Sequence, residues 1–384
     1  MVYFRSDNII SSLGFGTEEN FFSMVSGEVG IKTIVDQKYY PKAFPASMID
    51  EERLNKEFQI IADQYSNNNS YTKLEKMIIV SVNDALSLTD IEIHSSRTAI
   101  ILSTTKGNIN LVSNENEETF EPERILLWKL GDIIQDFFGN PNKVIVVSNA
   151  CISGALAINI AAMYIESEQF DNVIVTGGDL VTRFVVSGFM SFMSLSPTAC
   201  KPFDKNRDGL SLGEAAGTVI LSKHKNMHRQ NIIFKGGATA NDANHISGPS
   251  RKGDGSYIAI KKAIFQSNIK PEQIDHISSH GTATPYNDEM ESISIDRHHL
   301  ESVPVNSIKG YLGHTLGAAG IIETVILLEE MRQNILLKTA GFEELGISHP
   351  INIINHTFNM EINTCLKMAS GFGGSNAALI ISKV

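Results

Sequence analysis

Cys151 stands in an uncharged stretch, KVIVVSNACISGALAINIAAMYIE, bounded by Lys143 and Glu166. Val144 to Val147 is apolar and β-branched throughout, the pattern of a strand buried on both faces. Ile152 to Ile165 is apolar on every side, the pattern of a helix buried all round. Ser148, Asn149 and Ala150 make the turn, which leaves Cys151 where the helix begins. Unpaired N–H groups and the positive end of the helix dipole stabilise a thiolate there, so the thiol pKa is expected to be lowered. Gly154, one turn on, reads as room for a reactant. The blander readings are a small buried hydrophobe and a membrane span of ~20 residues. Asn149, Ser153 and Asn159 argue against the span. What favours chemistry is the strand–turn–helix setting together with partners later in the chain.

Three such partners stand out. His280 in SSHGTATPYND follows a strand pattern, His314 in KGYLGHTLGAAG opens a helix, and Lys309 lies five residues before it. Most of the eleven histidines must be structural. A metal set from His280, Asp288 and Glu291 does not have a recognised ligand spacing. Strand–turn–buried helix occurs at Val144–Ile165 and again at Val303–Met331, which suggests a tandem duplication with the two buried helices side by side. Sites in such structures sit at strand ends beside helix N-termini, so Cys151 is expected near His314.

Other elements read in order. Asn8–Leu13, Thr98–Ser103, Asn172–Gly178, Gly217–Ser222, Ile232–Ala238, Ile274–Ser278, Leu366–Ser370 and Ala377–Ile381 read as strands. Thr17 onward, Leu74–Leu86, Arg124–Phe138, Gly255–Ser267 and Leu316–Met331 read as helices. Ile31–Gln64 reads as a surface excursion, and acid-rich Asn108–Glu123 as a flexible segment. Asp179–Ser194, rich in Phe and Met, reads as core or as a greasy wall for an acyl tail. The 384 residues allow two domains or one duplicated unit, divided as 1–226 and 227–384. Three widely spaced cysteines imply no disulfide framework and a reducing compartment. With no signal-peptide pattern near Met1, a cytoplasmic protein is expected. A net charge of −11 argues against non-specific nucleic-acid binding.

Together NACISGA, PFDKNRDGLSLGEAAG, HGTATPYND, KGYLGHTLGAAG and GFGGSN resemble, in this order along nearly the whole chain, the elongating β-ketoacyl-[acyl-carrier-protein] synthases of the thiolase superfamily. The resemblance implies an α/β fold with thiolase-like duplicated halves in a layered α-β-α-β-α core. It implies that Cys151 takes an acyl group from a carrier-protein thioester. Backbone N–H groups of Cys151 and Phe372 would form the oxyanion hole, with Phe372 as gate. Neutral His280 and His314 would then stabilise the enolate formed as a malonyl thioester loses CO2. Lys309 would pair with Glu323, Asp288 and Glu291 would support the His280 loop, and Thr282 and Thr284 would bind the phosphopantetheine arm. No metal or redox cofactor is implied, because the arm arrives on the carrier. The family is homodimeric, with the strand equivalent to Asn172–Gly178 at the seam. Lys201, Lys205 and Arg207 are the candidate docking cations for an acidic carrier.

Ser148-Asn149, the short SLSPTAC loop and the abrupt first strand depart from the family pattern. They suit a specialised pathway, such as aryl-polyene or flexirubin-type pigment synthesis, as well as fatty-acid elongation. The rivals are a degradative thiolase, a thiolase-like acyltransferase that never decarboxylates, and a non-catalytic chain-length partner subunit of a heterodimer. The final Gly-rich loop carries Phe372 where a thiolase would need a second cysteine.

Overall fold

The structure is a computed structural model that describes residues 1–113, 120–226, 230–242, 244–245 and 248–384. Ten strands form one continuous path among these residues. They are β1 (Val2–Ser11), β2 (Thr98–Ser103), β3 (Ile145–Val147), β4 (Asn172–Asp179), β5 (Ala215–Ser222), β6 (Ile232–Asn241), β7 (His276–Ser278), β8 (Val305–Asn306), β9 (Thr364–Gly371) and β10 (Ser375–Lys383). The spatial order is β8-β7-β9-β10-β6-β1-β5-β4-β2-β3. Read outward from the β1–β6 junction, each half has the same order: first strand, fifth, fourth, second, third. The directions repeat too. β2 is parallel to β3 and β4, while β5 is antiparallel to β4 and β1. β7 is parallel to β8 and β9, while β10 is antiparallel to β9 and β6. The duplication read from the sequence is therefore a duplication of topology.

Alternation along the strands builds the layers. Ile101, Val173, Val175 and Val219 face a central core, whereas Ile100, Leu102, Ile174 and Ile220 face an outer one. That outer core is filled from α2 (Glu51–Gln64), α3 (Lys73–Ser87) and α4 (Leu127–Phe138) chiefly by Leu54, Leu74, Ile78 and Ile134, while α1 (Thr17–Val25) joins the central core through Phe21 and Met24. The central layer is α5 (Ser153–Glu166), joined across the halves by α10 (Ala319–Gln333). Between them in the chain lie α6 (Arg183–Ser191), α7 (Asp254–Ser267), α8 (Pro285–Asp296) and the single turn α9 (Lys309–Leu312). α7 and α8 cover the far face of the second half through Ala259, Ile260 and Ile295. The result is the layered α-β-α-β-α order.

Several local expectations change. Gly154 does not leave room for a reactant: a Cβ there would lie 2.7 Å from the Ile321 nitrogen, and one on Gly320 would lie 2.2 Å from the Ala155 nitrogen. The glycines let α5 and α10 touch backbone to backbone. Val144–Val147 is an end strand, with Ile145 and Val146 only half-buried, not a strand buried on both faces. α5 is not apolar-buried on all sides either, since Met163 is exposed. Ile31–Gln64 contains α2, capped by Asp50 and anchored by Leu54, Phe58, Ile61 and Ala62. Its apolar stripe is diluted by charges on the other face. The first strand runs from Val2, six residues earlier than expected. Part of the Asn108–Glu123 segment lies outside the described residues, and the 226/227 division falls beside 227–229, which lie outside them too.

The assignment of Asn172–Gly178 to a dimer seam fails on topology. β4 is hydrogen-bonded to β2 on one side and β5 on the other, so it has no free backbone edge. The open edge of that half belongs to β3. No helix among the described residues is long and apolar enough to cross a membrane.

Gly154→Ala and Gly320→Ala should each lower stability by about 1–3 kcal/mol, the usual cost of forcing extra volume into a close-packed interior. Denaturant unfolding would read this as a lower midpoint.

Candidate active site

Ala150 turns the chain out of β3 with φ of +44°, a left-handed conformation in which few residues other than glycine are at ease. Ser153 holds the turn by accepting from Asn149 N–H at 2.8 Å and donating to the Ala150 carbonyl at 2.6 Å. Asn149 Oδ1 accepts from Ser375 Oγ at 2.8 Å. Asn149, of the Ser148-Asn149 pair that departs from the family pattern, thus ties the nucleophile turn to the final Gly-rich loop. A Cβ on Gly371 would sit 3.0 Å from the Cys151 nitrogen, so these two backbones meet, and the Phe372 N–H is directed at the Cys151 sulfur.

Both histidines reach the same point. Cys151, His280 and His314 are buried, and one side-chain sulfur or nitrogen from each lies within 4.8 Å of the others. The two imidazoles meet edge to face, with ring centroids 5.2 Å apart. Cys151 and His280 come from the loops after β3 and β7, and His314 follows the single turn α9 that succeeds β8.

The sequence expectation of a lowered thiol pKa does not hold in the resting site. Burial pushes the Cys151 thiol up to about 11, against the downward pull of Lys309, the Phe372 N–H and Lys106. Both histidines are held well below the usual imidazole range, chiefly by burial and then by Lys309, so they are neutral at pH 7. Their partners also select the tautomer. Lys309 Nζ lies 3.1 Å from His280 Nδ1, and Leu316 N–H donates to His314 Nδ1 at 3.3 Å. An Nδ1 that accepts places the ring proton on Nε2. Both rings therefore offer an Nε2–H donor. That arrangement is opposite to a metal site, where the non-ligating ring nitrogen normally donates to an acceptor.

Behind the rings lies a buried charged cluster. Lys309 Nζ pairs with Glu323 Oε1 and donates to the His280 carbonyl at 2.6 Å. Lys367 Nζ pairs with Glu323 Oε2 at 2.7 Å and also donates to the Met368 carbonyl. Burial lowers the Lys367 pKa, opposed by Glu323. Sequence reasoning missed Lys367; its one signal was a lone charge inside the apolar strand β9. Glu291 accepts from His280 and Gly281 N–H, each at 2.7 Å, and Asp288 accepts from Thr282 N–H at 2.9 Å and Phe203 N–H at 2.7 Å. These two acids hold the His280 loop by its main chain, and burial raises both pKa values, Glu291 to about 7.

A cavity of about 350 Å³ opens onto Cys151, His280 and His314. Thr282 and Thr284 line it, and their hydroxyls are hydrogen-bonded at 2.9 Å. Phe372 also lines it, stacked on Phe189 at 5.7 Å and edge-on to Phe192 at 5.4 Å. The Asp179–Ser194 segment thus contributes both core, through Val181 and Val185, and cavity wall. Of the three docking cations, Arg207 is turned inward. Its side chain is 8% exposed, donates to the Asp204 and Gly346 carbonyls and faces Asp288, so it cannot meet a partner. Lys205 is exposed and paired with Glu344 at 3.1 Å, and Lys201 is half-buried.

Comparison with known proteins agrees with this geometry. The family profile described as "Beta-ketoacyl synthase, N-terminal domain" matches residues 12–226, and "Beta-ketoacyl synthase, C-terminal domain" matches 232–343. The chain belongs to the β-ketoacyl synthase family. Among its relatives, a putative mitochondrial 3-oxoacyl-[acyl-carrier-protein] synthase of Schizosaccharomyces pombe is 29% identical over 97% of each chain. A 3-oxoacyl-[acyl-carrier-protein] synthase 2 of Rhizobium meliloti is 32% identical over 69% of this chain and 66% of its own. A ketosynthase solved in complex with its chain length factor, from Xenorhabdus doucetiae, shares the fold with a TM-score of 0.88 at 24% identity, covering 100% of this chain and 98% of its own.

Two outcomes follow from the charges. Replacing Glu323 with Leu leaves two buried ammonium groups without their carboxylate and should cost about 3–5 kcal/mol in urea unfolding. Because the thiol is protonated until about pH 11, alkylation of the resting protein by iodoacetamide should keep rising through the alkaline range. A plateau near neutrality would contradict the burial argument.

Proposed function

We propose that the protein extends acyl chains by decarboxylative Claisen condensation, as a 3-oxoacyl-[acyl-carrier-protein] synthase. The observation that carries this reading is the meeting of one thiol and two neutral imidazoles, both with Nε2–H free to donate, at the end of one cavity. Cys151 Sγ attacks the carbonyl carbon of an acyl thioester. The Cys151 and Phe372 N–H groups hold the developing oxyanion. The bond to the phosphopantetheine sulfur breaks, and the thiol proton leaves with that sulfur. A malonyl thioester then enters. Its carboxylate departs as CO2, and the electron pair becomes an enolate whose oxygen accepts from His280 and His314. The enolate carbon attacks the acyl–Cys151 carbonyl, the C–S bond breaks, and the thiolate takes a proton from water. The product is two carbons longer.

This route draws on no metal or redox cofactor, since loss of CO2 drives the bond formation and the two rings carry the charge. Lys309, Glu323, Asp288 and Glu291 hold the rings, and Thr282 and Thr284 face the arm of an acyl carrier protein. Carrier docking falls to Lys201 and Lys205, with Arg207 excluded by its burial. A homodimer would pair through the open β3 edge and the exposed side of α5. Three free buried cysteines suit a cytoplasmic setting. The chain-length-partner reading is disfavoured because the thiol and both imidazoles are assembled.

Radiolabelled malonyl carrier thioester tests the scheme. Cys151→Ala should abolish chain extension yet still release CO2, because the ring pair is intact. His314→Ala should lose CO2 release by about 10²-fold, the typical worth of an oxyanion donor. Release of CO2 at the wild-type rate by His314→Ala would exclude the mechanism.

A further inference from the structure

Asp179 ends β4 in the first half and is fully buried. Every group around its carboxylate is a donor. Thr104 and Thr105 hydroxyls each lie at 2.9 Å, Thr105 N–H at 2.9 Å and Lys106 N–H at 3.1 Å. The remaining donor crosses between the halves: Gly317 N–H lies 2.7 Å from Asp179 Oδ2. Gly317 is three residues after His314. Its lack of a side chain is required, because a Cβ there would lie 2.7 Å from the same carboxylate oxygen and 2.8 Å from Thr104 Cα.

Between them lie Thr315 and Leu316, and the φ of Leu316 is +53°. A left-handed leucine is strained and persists only where its surroundings impose it. Leu316 supplies the N–H that donates to His314 Nδ1. The next N–H along is the one held by Asp179. His314 is otherwise fixed by its main chain, with its N–H on the Ser211 carbonyl at 2.7 Å and its carbonyl accepting from Gly213 N–H at 3.0 Å. These bonds set its backbone but not its ring tautomer.

We propose that Asp179 is a positioning residue for His314: by gripping Gly317 N–H it imposes the strained Leu316 conformation, which presents an N–H to His314 Nδ1 and so keeps the Nε2–H aimed into the cavity. This rests on the role of His314 as enolate donor argued above. The consequence is selective. Acyl loading uses Cys151 and two backbone N–H groups, whereas CO2 loss uses the ring pair, so Asp179 serves the second half-reaction and not the first.

Asp179→Asn keeps the shape but turns an amide NH2 toward main-chain N–H groups that can only donate, those of Thr105 and Lys106 on one side and of Thr105 and Gly317 on the other. The two half-reactions are followed separately, loading by intact mass of acyl-Cys151 and decarboxylation by CO2 release. The kcat for CO2 release should fall about 10²-fold, the scale of a misplaced catalytic group. The KM for malonyl thioester should stay within about twofold, the pattern of an interaction made only in the transition state, and the loading rate should not fall, because losing the Asp179 charge, which helps to raise the Cys151 thiol, favours the thiolate. Gly317→Ala, which presses a methyl onto the carboxylate from the other half, should give the same split and supplies the test if Asp179→Asn does not fold. Adding either change to His314→Ala should cost nothing further in CO2 release, as expected for residues acting through one another. Parallel loss of loading and CO2 release, or additive loss on the His314→Ala background, would overturn the assignment. Wild-type CO2 release by Asp179→Asn, with His314→Ala inactive, would overturn it while leaving the function intact. An active His314→Ala would remove the function reading and Asp179 with it.

Discussion

The contact of α5 with α10 is the constraint on which the site depends. Each helix begins at the loop that carries reactive groups: α5 follows Cys151, and α10 follows Lys309 and His314. Gly154 and Gly320 bring the two helix backbones within van der Waals reach near their N-terminal ends. Side chains at those positions would separate the axes and, with them, the sulfur from the imidazole. Interiors are close-packed and transmit such displacements instead of absorbing them. The site is therefore located by the central layer, and the loops supply only its chemistry.

Electrostatics then decides what that site can do. A buried charge is costly unless paired, and two ammonium groups share the single carboxylate of Glu323. Positive charge beside His280 discourages a second proton on the ring, as burial does, and both effects act in one direction. A neutral ring with a defined tautomer is a hydrogen-bond donor already oriented toward the charge that develops during reaction. Asp288 and Glu291 spend their oxygens on backbone N–H groups, so they shape the His280 loop without presenting charge to the cavity.

Much of this was legible in the sequence. The duplication showed as two strand–turn–helix patterns because a strand buried between layers and a helix buried between sheets both lose their polar face. Cys151, His280, Lys309 and His314 were legible because their flanking glycines and small residues mark tight turns at element ends. What stayed hidden depended on three-dimensional neighbours. Lys367 and Asp179 are lone charges in apolar strands, and nothing local distinguishes a buried partner from a strand boundary. Gly154 looked like space because its occupant, Gly320, is more than a hundred residues away. The Cys151 thiol looked acidic from its place at a helix start, while the burial that raises it exists only in the folded site. The seam that the family resemblance assigned to β4 met no objection in its composition, because an uncharged strand reads alike whether it faces a partner chain or two neighbours in its own sheet.

The last strand, β10, inserts between β9 and β6, and only with it does the loop bearing Phe372 close over Cys151. On a ribosome, the sulfur emerges more than two hundred residues before that event. Until β10 is paired, the nucleophile therefore stands without the backbone of the Gly371–Phe372 loop that meets it in the folded chain.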